Sequence, residues 1–261
     1  MIGIFDSGLG GLTALKELHA LTPGEELVYF GDTGRVPYGT RSAATITRYA
    51  KQDAAFLLSQ GVDAILVACG TASTTALHEL TSTLPVPVIG VVEPAADAAV
   101  KATKNGKIAV IGTAATVRTG AFEAAIRERM PEAEVISRAC SLFVPLVESG
   151  FTAPDCEITR LTCEHYLAPI KESGADTLIL GCTHYPLLTP ILKQVLPDVT
   201  LISSGAEAAR AMVALLGTKT EGHAPIRYYV SDDPSLFTAS AATFLGCDIR
   251  ADVNKIDIET Y

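Results

Sequence analysis

The chain has 261 residues, of which 48% are hydrophobic, so it is long enough for one large or two small domains with a sizeable core. Its formal net charge of −9, with no run of Lys and Arg longer than two, argues against nucleic-acid or membrane-surface binding, because both need a basic face. The segment Met1–Asp6 has neither a basic region nor a long apolar stretch. We therefore expect no signal peptide, no membrane span and a cytoplasmic protein.

Short apolar runs alternate with longer amphipathic segments throughout the chain. The apolar runs predict nine strands: Ile2–Phe5, Leu27–Phe30, Ala64–Ala68, Val86–Val91, Lys107–Ile111, Glu134–Ser137, Thr177–Leu180, Thr200–Ile202 and Ile226–Val230. The segments between them predict eight helices: Gly11–Ala20, Ser42–Gln60, Thr74–Thr83, Pro94–Lys104, Thr116–Arg129, Asp155–Ser173, Leu187–Leu196 and Ala206–Leu216. Continuous apolar strands between helices indicate parallel sheets covered on both faces, so the predicted fold class is α/β.

Two stretches of the chain repeat one pattern: QGVDAILVACGTAS (Gln60–Ser73) and SGADTLILGCTHYP (Ser173–Pro186). Each runs glycine, a small residue, aspartate, an apolar run and a cysteine at a polar turn, and in both the glycine leads the cysteine by eight positions. The repeat predicts two similar α/β halves, with Pro94 and Gly205 as candidate crossover points. The segment after Gly205 still contains strand and helix patterns, so it could return to complete the first half.

Cys69 and Cys182 leave their predicted strands at matching points, each ahead of a helix. Ligands of parallel sheets bind beyond the carboxyl ends of the strands, and a helix N-terminus there can lower the pKa of a thiol below its usual value of about 8.5. The repetition favours a functional role for both. The other four cysteines lack this setting, and we expect them to be small buried hydrophobes without disulfides: Cys140, Cys156, Cys163 and Cys247.

Three uses of two such thiols are open. A metal site would combine them with His184, but these ligands have no compact spacing. A redox disulfide usually needs a CxxC pair, which the chain lacks. Acid–base chemistry from opposite faces of a substrate inverts a stereocentre, and near-symmetric halves suit it. Asp6, in the turn DSGLGGLT, is either a partner for a thiol or the N-cap of the next helix; the turn does not match a phosphate-binding motif.

Six motifs together resemble those of the glutamate racemases, in the aspartate/glutamate racemase superfamily: IGIFDSGLGGLT, YFGDTGRVPYG, VACGTAS, GVVEP, FVPLVESG and LGCTHYPLL. They span residues 2–188 in the family's order, and SSG near Gly205 extends the match. The resemblance implies interconversion of L- and D-glutamate without cofactor or metal, supplying D-glutamate for peptidoglycan and so for cell wall biogenesis and cell shape. It also implies a homodimer of chains with two pseudo-symmetric parallel-sheet domains, 1–94 plus 206–261 and 95–205, around a cleft that holds the site.

The resemblance assigns roles to individual residues. Cys69 and Cys182 would be the catalytic acid–base groups. Asp6 would assist Cys69, whereas His184 and Glu148 would assist at the Cys182 side. Substrate-binding residues are implied at Asp6, Ser7, Tyr38, Gly39, Gly70, Thr71, Thr116, Thr183 and His184.

Several of these residues have a structural alternative. Tyr38 could be a packing residue in a proline-initiated turn. Glu148 could be a solvated charge at a helix end, and His184 could cap its helix. Arg35 is expected to tie down its loop rather than bind substrate.

Two positions depart from the family pattern. Gly70 stands where the family usually has Asn, so a side-chain hydrogen bond worth about 0.5–1.5 kcal/mol is lost, and Ser203 stands where we expect aspartate. Two alternatives therefore stay open: racemisation of aspartate or another amino acid, and a binding or regulatory homologue impaired in catalysis by Gly70. The different residues that follow the two cysteines also predict unequal pH dependence for the two reaction directions.

Overall fold

Two parallel sheets organise the chain in the computed structural model, which describes residues 1–217, 219–249 and 251–261. Their strands, β1 to β10 in chain order, are Ile2–Asp6, Leu27–Gly31, Ala64–Val67, Val88–Gly90, Lys107–Gly112, Glu134–Ala139, Thr177–Leu180, Thr200–Ser203, Ile226–Val230 and Val253–Lys255. The α-helices, α1 to α11, are Leu12–Leu21, Ala43–Ser59, Gly70–Thr83, Val92–Ala102, Ala114–Thr119, Ala121–Arg129, Phe143–Glu148, Glu157–Ser173, Thr189–Val195, Ser204–Leu216 and Pro234–Leu245. Short 3₁₀ helices lie at Tyr38–Thr40, Tyr185–Leu188 and Ile258–Thr260. Over these described ranges, no helix is both long and apolar enough to cross a membrane.

The two sheets repeat one strand order. The first sheet runs β10-β9-β2-β1-β3-β4 and the second runs β6-β5-β7-β8, with every neighbouring pair parallel. The first four strands of each half therefore lie side by side as second, first, third and fourth. Cys69 follows the third strand of its half and Cys182 follows the third strand of the other. The predicted pair of pseudo-symmetric parallel-sheet halves is confirmed.

Helices cover the first sheet on both faces. Ile4 and Phe5, adjacent on β1, are both fully buried, and they belong to two different apolar clusters because their side chains point to opposite faces. The cluster that contains Ile4 continues into the second sheet at Ile108 and Leu178. One apolar core thus holds the two sheets against each other, and burial on both faces explains the continuous apolar runs in the sequence.

Two helices carry the chain between the halves. α4 leads from β4 of the first sheet to β5 of the second, and α10 leads from β8 back to β9, which pairs with β2. The segment after α10 therefore adds β9 and β10 to the first sheet. The expected boundaries at 94/95 and 205/206 fall inside α4 and α10, so each crossover is a helix; the division into domains at these points stays a prediction.

The predicted strands agree with the structure, whereas some helix limits do not. All nine predicted strands are present, with ends within two residues of the expected ones. The single helix expected over Thr116–Arg129 is wrong, because Gly120 takes the left-handed conformation, with φ of 65°, and separates α5 from α6. Pro94 is the third residue of α4 rather than its first. The sequence analysis did not predict α7, α11 or β10.

The expected burial of the four remaining cysteines is half correct. Cys140 and Cys163 are buried, but Cys156 is only partly buried and Cys247 is exposed. The two wrong cases lie at the ends of helices, Cys156 just before α8 and Cys247 just after α11, where the chain meets the surface. All six cysteines are free.

A buried ion network holds the loop that follows β2. Arg35 pairs with Asp32 at 2.7 Å and with Asp53 at 2.9 Å, and both carboxyl groups are fully buried, so the expected role of Arg35 in tying down its loop is confirmed. The Tyr38 hydroxyl contacts both carboxyl groups but has one hydrogen to donate. One of the two must therefore carry a proton, and burial, with the charge of Asp32, raises the pKa of Asp53 well above its usual value.

We expect Asp53→Asn to preserve this network, because the amide is neutral, has nearly the shape of a protonated carboxyl group and can donate to Tyr38. Folding raises the pKa of Asp53, so the native protein loses stability from this group as the pH rises above the unfolded pKa of about 3.9. Asparagine does not titrate, so the variant does not lose stability in this way. Its free energy of unfolding in urea should therefore rise relative to the native chain between about pH 5 and about pH 8.

Arg35→Met provides the contrast, because it leaves the buried charge of Asp32 without its partner and should cost about 3–5 kcal/mol of unfolding free energy. If Asp53→Asn cost as much as Arg35→Met, or if its relative stability did not change with pH, a protonated Asp53 would be the wrong assignment.

Candidate active site

Cys69 lies at the carboxyl edge of the first sheet, where α3 begins. It is the N-cap residue of α3, and its Sγ accepts the backbone amide of Ala72 at 3.5 Å, which is why the helix starts at Gly70 rather than at the expected Thr74. The thiol also lies 3.6 Å from the hydroxyl of Ser7, in the turn after β1. Because β1 and β3 are paired parallel strands, their carboxyl ends bring these two side chains together.

Cys182 occupies the corresponding place in the second sheet, two residues beyond β7. It is buried, and so are Thr183 and His184, which lead into the 3₁₀ helix Tyr185–Leu188. The repeat found in the sequence therefore places one thiol at the same strand end in each half.

The two cysteine turns meet across the boundary between the halves. The carbonyl oxygen of Gly181 comes within 3.0 Å of the point where a Cβ on Gly70 would lie, closer than real Cβ atoms approach other atoms. The Cα of Cys182 is 3.8 Å from the same point. Since Cys69 precedes Gly70 and Cys182 follows Gly181, the backbones that carry the two thiols are in direct contact.

Asp6 ends β1 and is fully buried between the two turns. Its carboxylate accepts the backbone amide of Gly8 at 2.9 Å and, from the other half, the hydroxyl of Thr183 at 3.4 Å. Burial raises the pKa of Asp6, partly offset by the charge of His184. The N-cap alternative is wrong, because the N-cap of α1 is Gly11 and no side chain caps that helix.

His184 joins Cys182 to Glu148. Its Nδ1 lies 3.9 Å from the Cys182 Sγ, and its Nε2 lies 3.0 Å from the Glu148 Oε1. Burial alone would lower the pKa of His184, but the hydrogen bonds with Cys182 and Glu148 outweigh it and raise the pKa to about 10. The alternative role as a helix cap is wrong, since the side chain makes no capping hydrogen bond.

Glu148 is the last residue of α7, and its side chain is 48% exposed. Its carboxylate nevertheless bonds to the buried imidazole of His184, so it is more than a solvated charge at a helix end. It also lines a cavity of about 280 Å³, together with Gly8 and Leu9 from the turn after β1. Glu148 therefore contacts the buried His184 on one side and the open cavity on the other.

Three threonine hydroxyls form a chain across the boundary. The Thr71 hydroxyl, in the first turn of α3, lies 3.1 Å from that of Thr113, and Thr113 lies 3.0 Å from Thr116. Gly39 packs against the same residue, since a Cβ on it would lie 3.1 Å from the Thr113 Cβ. Thr71, Thr116 and Gly39, which the sequence assigned separately, thus converge on Thr113.

The Tyr38 side chain is directed away from this group. It is buried, and its hydroxyl lies between the carboxyl groups of Asp32 and Asp53. Tyr38 therefore packs as the alternative interpretation expected, and only its backbone, next to Gly39, lies close to the other half.

The surroundings of the two thiols differ in charge. Burial and the neighbouring charge of Asp6 raise the pKa of Cys69 to about 12, so this group is a neutral thiol near pH 7. Cys182 instead faces the imidazole of His184, whose pKa is raised to about 10, so that this ring is positively charged near pH 7. The two thiols thus have neighbours of opposite charge.

The sequence analysis assigned no role to three residues of this region. Thr113, which directly follows β5, stands out in the sequence only as one of several polar residues at predicted strand ends. A Cβ placed on Gly10 would come within 3.0 Å of side-chain atoms of Thr183 and His184. Phe244 of α11 packs edge-on against the His184 ring, with 5.3 Å between the ring centroids. These last two contacts join distant segments, so no local pattern predicts them. Among the described residues, no cluster of three or more His, Cys, Asp or Glu side chains suits a metal ion.

Comparison with known proteins relates the whole chain to one class of enzymes. The model of the Asp/Glu/hydantoin racemase family matches residues 11–212. A glutamate racemase of Geobacter metallireducens is 46% identical, over 99% of this chain and 97% of the relative. The crystal structure of the Francisella tularensis glutamate racemase in complex with D-glutamate has a TM-score of 0.92 at 35% identity, covering 100% of this chain and 98% of that one. The glutamate racemase of Bacillus anthracis has a TM-score of 0.94 at 37% identity, covering 98% and 97%.

Proposed function

The chain belongs to the Asp/Glu/hydantoin racemase family, and we propose that it interconverts L- and D-glutamate without a cofactor, using Cys69 and Cys182 as two acid–base groups. The observation that carries the proposal is the pair of thiols at matched strand ends, with their backbones in contact and with neighbours of opposite charge. The similarity to a structure that holds D-glutamate supports the choice of substrate.

The reaction is a proton transfer at each face of the substrate α-carbon. The thiolate of one cysteine takes the Cα proton and becomes a thiol, and the electron pair of the broken C–H bond stays on the substrate as a planar carbanion. The thiol of the other cysteine then protonates the opposite face and becomes a thiolate. Configuration is inverted, and the charges of the two cysteines have exchanged places.

The two thiols have neighbours of opposite charge. His184, charged and held by Glu148, lies beside Cys182, whereas the charge of buried Asp6 disfavours a thiolate at Cys69. In the exchanged state Cys182 is the thiol and Cys69 is the thiolate, and Asp6 and His184 would return the proton from Cys182 to Cys69. These roles agree with their contacts to Thr183 and Cys182.

The substrate carboxylates need donors, and the site offers two kinds. Backbone N–H groups are free at the N-terminus of α3, beginning at Gly70, and helix N-termini favour anions. Hydroxyl groups are available at Ser7, Thr71, Thr116 and Thr183. We propose that these groups, with the backbone of Tyr38 and Gly39, hold glutamate between the two thiols.

The two alternatives from the sequence have less support. For racemisation of aspartate or another amino acid, the relatives compared above are glutamate racemases at 35–46% identity, which favours glutamate. Against an impaired binding protein, His184 contacts both Cys182 and Glu148, and the charge of Asp6 acts on Cys69. A racemisation assay with a panel of L-amino acids, followed by circular dichroism, distinguishes the three.

We expect Cys69→Ser and Cys182→Ser each to reduce glutamate racemisation by at least about 10²-fold in both directions, because one proton carrier is lost. Each variant keeps one intact thiol, so in D₂O it should still exchange the Cα hydrogen of one enantiomer, and the two variants should prefer opposite enantiomers. Circular dichroism measures racemisation, and mass spectrometry measures the exchange.

Cys247→Ser is the matched control, since this thiol is exposed whereas Cys69 and Cys182 are buried, and it should keep full activity. Dialysis against a chelator and treatment with a carbonyl reagent should leave the native enzyme active. Near-normal turnover by either active-site variant would reject the two-thiol mechanism.

The two reaction directions should depend differently on pH. Burial and the charge of Asp6 raise the pKa of Cys69 to about 12, so the thiolate of Cys69 is scarce near pH 7. The kcat of the direction that starts from a Cys69 thiolate should therefore rise more steeply with pH. L- and D-glutamate have equal free energies, so kcat/KM must stay equal for both directions at every pH and serves as a check on the assay.

Glu148→Gln should alter mainly the other direction, because removing the Glu148 charge lowers the pKa of His184 from about 10 and so removes the positive charge beside Cys182 at high pH. Superimposable kcat profiles for the two enantiomers, in native enzyme and variant, would contradict the unequal roles of the two thiols.

The family resemblance further supports a cytoplasmic homodimer that supplies D-glutamate for peptidoglycan. Expression of the chain should restore growth to bacteria that require external D-glutamate, and sedimentation equilibrium should give twice the chain mass of 27.4 kDa. Failure of rescue by an active enzyme would reject the cellular role, and a monomer would reject the dimer.

A further inference from the structure

Tyr29 is a buried titratable side chain to which the proposed mechanism gives no role. It lies on β2, and its hydroxyl donates a hydrogen bond of 2.7 Å to the carbonyl oxygen of Gly8. Its ring packs against those of Tyr228 on β9 and Phe237 on α11, with centroids 6.4 and 6.0 Å away. Burial raises the pKa of Tyr29 well above its usual value. The phenol therefore keeps the hydrogen that it donates to Gly8 throughout the neutral pH range.

The turn that accepts this hydrogen bond connects β1 to α1 and needs a contact from outside itself. It contains three glycines, Gly8, Gly10 and Gly11, whose backbones have more conformational freedom than those of other residues. Gly8 and Leu9 line the cavity of about 280 Å³, so one side of the turn borders open space. Among the described residues, the hydroxyl of Tyr29 is the only hydrogen-bond donor to the Gly8 oxygen. Tyr29 therefore holds the turn from its buried side.

The same turn carries groups that act on the thiol of Cys69. Burial and the charge of Asp6 raise the pKa of Cys69, against hydrogen bonds from Ala72 and Ser7 that lower it. The hydroxyl of Ser7 lies 3.6 Å from the Cys69 Sγ. The carboxylate of Asp6 accepts the backbone amide of Gly8 at 2.9 Å. A displacement of Gly8 therefore moves both the charge of Asp6 and the donors of Ser7 relative to the thiol.

We propose that Tyr29 is a positioning residue for the Cys69 side of the reaction. Its hydroxyl holds the turn after β1 and thereby keeps Ser7 and Asp6 in place beside the thiol. The inference rests on the proposed two-thiol function, because it assigns Tyr29 to one face of the substrate. Tyr29 acts through the turn and is not itself a proton carrier.

A displaced turn affects the two directions of the reaction differently. From the enantiomer that Cys182 deprotonates, protonation by Cys69 is delayed and the carbanion lives longer. In D₂O the thiol of Cys182 then has time to exchange its proton with solvent and to return a deuteron to the same face. From the other enantiomer, Cys69 removes the proton more slowly, but Cys182 still protonates the carbanion at its normal rate. Exchange without inversion therefore increases in one direction only.

The test is Tyr29→Phe, with racemisation started from each enantiomer in D₂O and stopped at low conversion. Chiral separation and mass spectrometry give the ratio of α-deuterium in recovered substrate to α-deuterium in product. We expect kcat to fall by about 10-fold, because small displacements of reacting groups slow proton transfer. The ratio should rise at least about threefold from the enantiomer that Cys69→Ser still exchanges, and it should not rise from the other enantiomer.

Tyr228→Phe is the matched control, because it removes a hydroxyl from the adjacent ring on β9 and should leave kcat and both ratios unchanged. Tyr29→4-aminophenylalanine keeps a hydrogen donor at the same place and should bring the ratio back to the native value. If thermal unfolding shows that Tyr29→Phe is not folded, Tyr29→4-fluorophenylalanine fills the space of the hydroxyl without donating a hydrogen. It should give the same rise from one enantiomer only.

Native values of kcat and of both ratios in the folded variant would overturn the inference, and so would a lower kcat with no rise in either ratio. An equal rise from both enantiomers would also overturn it, because a substitution that merely loosens the fold affects both faces of the substrate alike. The ratios are measured in an enzyme that racemises. Failure of the proposed function is a separate result, since it would appear as absent racemisation in the native chain or as full activity of Cys69→Ser.

Discussion

The meeting of two parallel sheets at their carboxyl edges is the constraint on which the rest of the structure depends. All strands of a parallel sheet end at one edge with polar turns, and here the turns after β1 and β3 meet those after β5 and β7. The polar groups of the turns must then find partners across the boundary. Thr183 donates to Asp6, and Thr71 pairs with Thr113, so these polar contacts across the boundary belong to the candidate site.

The repeat supplies two thiols in equivalent places, but their neighbours are not repeated. Asp6 ends the first strand of one half, and at the equivalent place in the other half the chain has Gly112 and Thr113. His184 follows only the second cysteine. Inversion by two bases needs one group protonated and the other ionised at the start of each turnover. With identical neighbours, neither thiol would be favoured as the ionised group. The unequal charges around the two thiols favour one distribution of protons.

Much of the fold follows from local patterns, and the parts that do not are those set by long-range contacts. Continuous apolar runs such as Thr177–Leu180 are buried on both faces and predict their strands within two residues. β10, with the sequence VNK, has no apolar pattern and exists because β9 offers an unpaired edge. The thiols could be found because their strand ends repeat. The side-chain direction of Tyr38 and the contact made by Gly70 depend on segments remote in sequence.

The C-terminal segment, which returns to the first sheet, contacts residues on both sides of the cleft. Ser231, just after β9, donates to Asp32 at 2.8 Å, and Glu259 pairs with Arg35 at 3.2 Å, so this segment supports the loop that carries Gly39. From the same segment, Phe244 packs against His184 of the second half. A segment that only completed a sheet would need no contact with the opposite half. Because this one contacts a loop on one wall and an imidazole on the other, completion of the first sheet also positions the groups around both thiols.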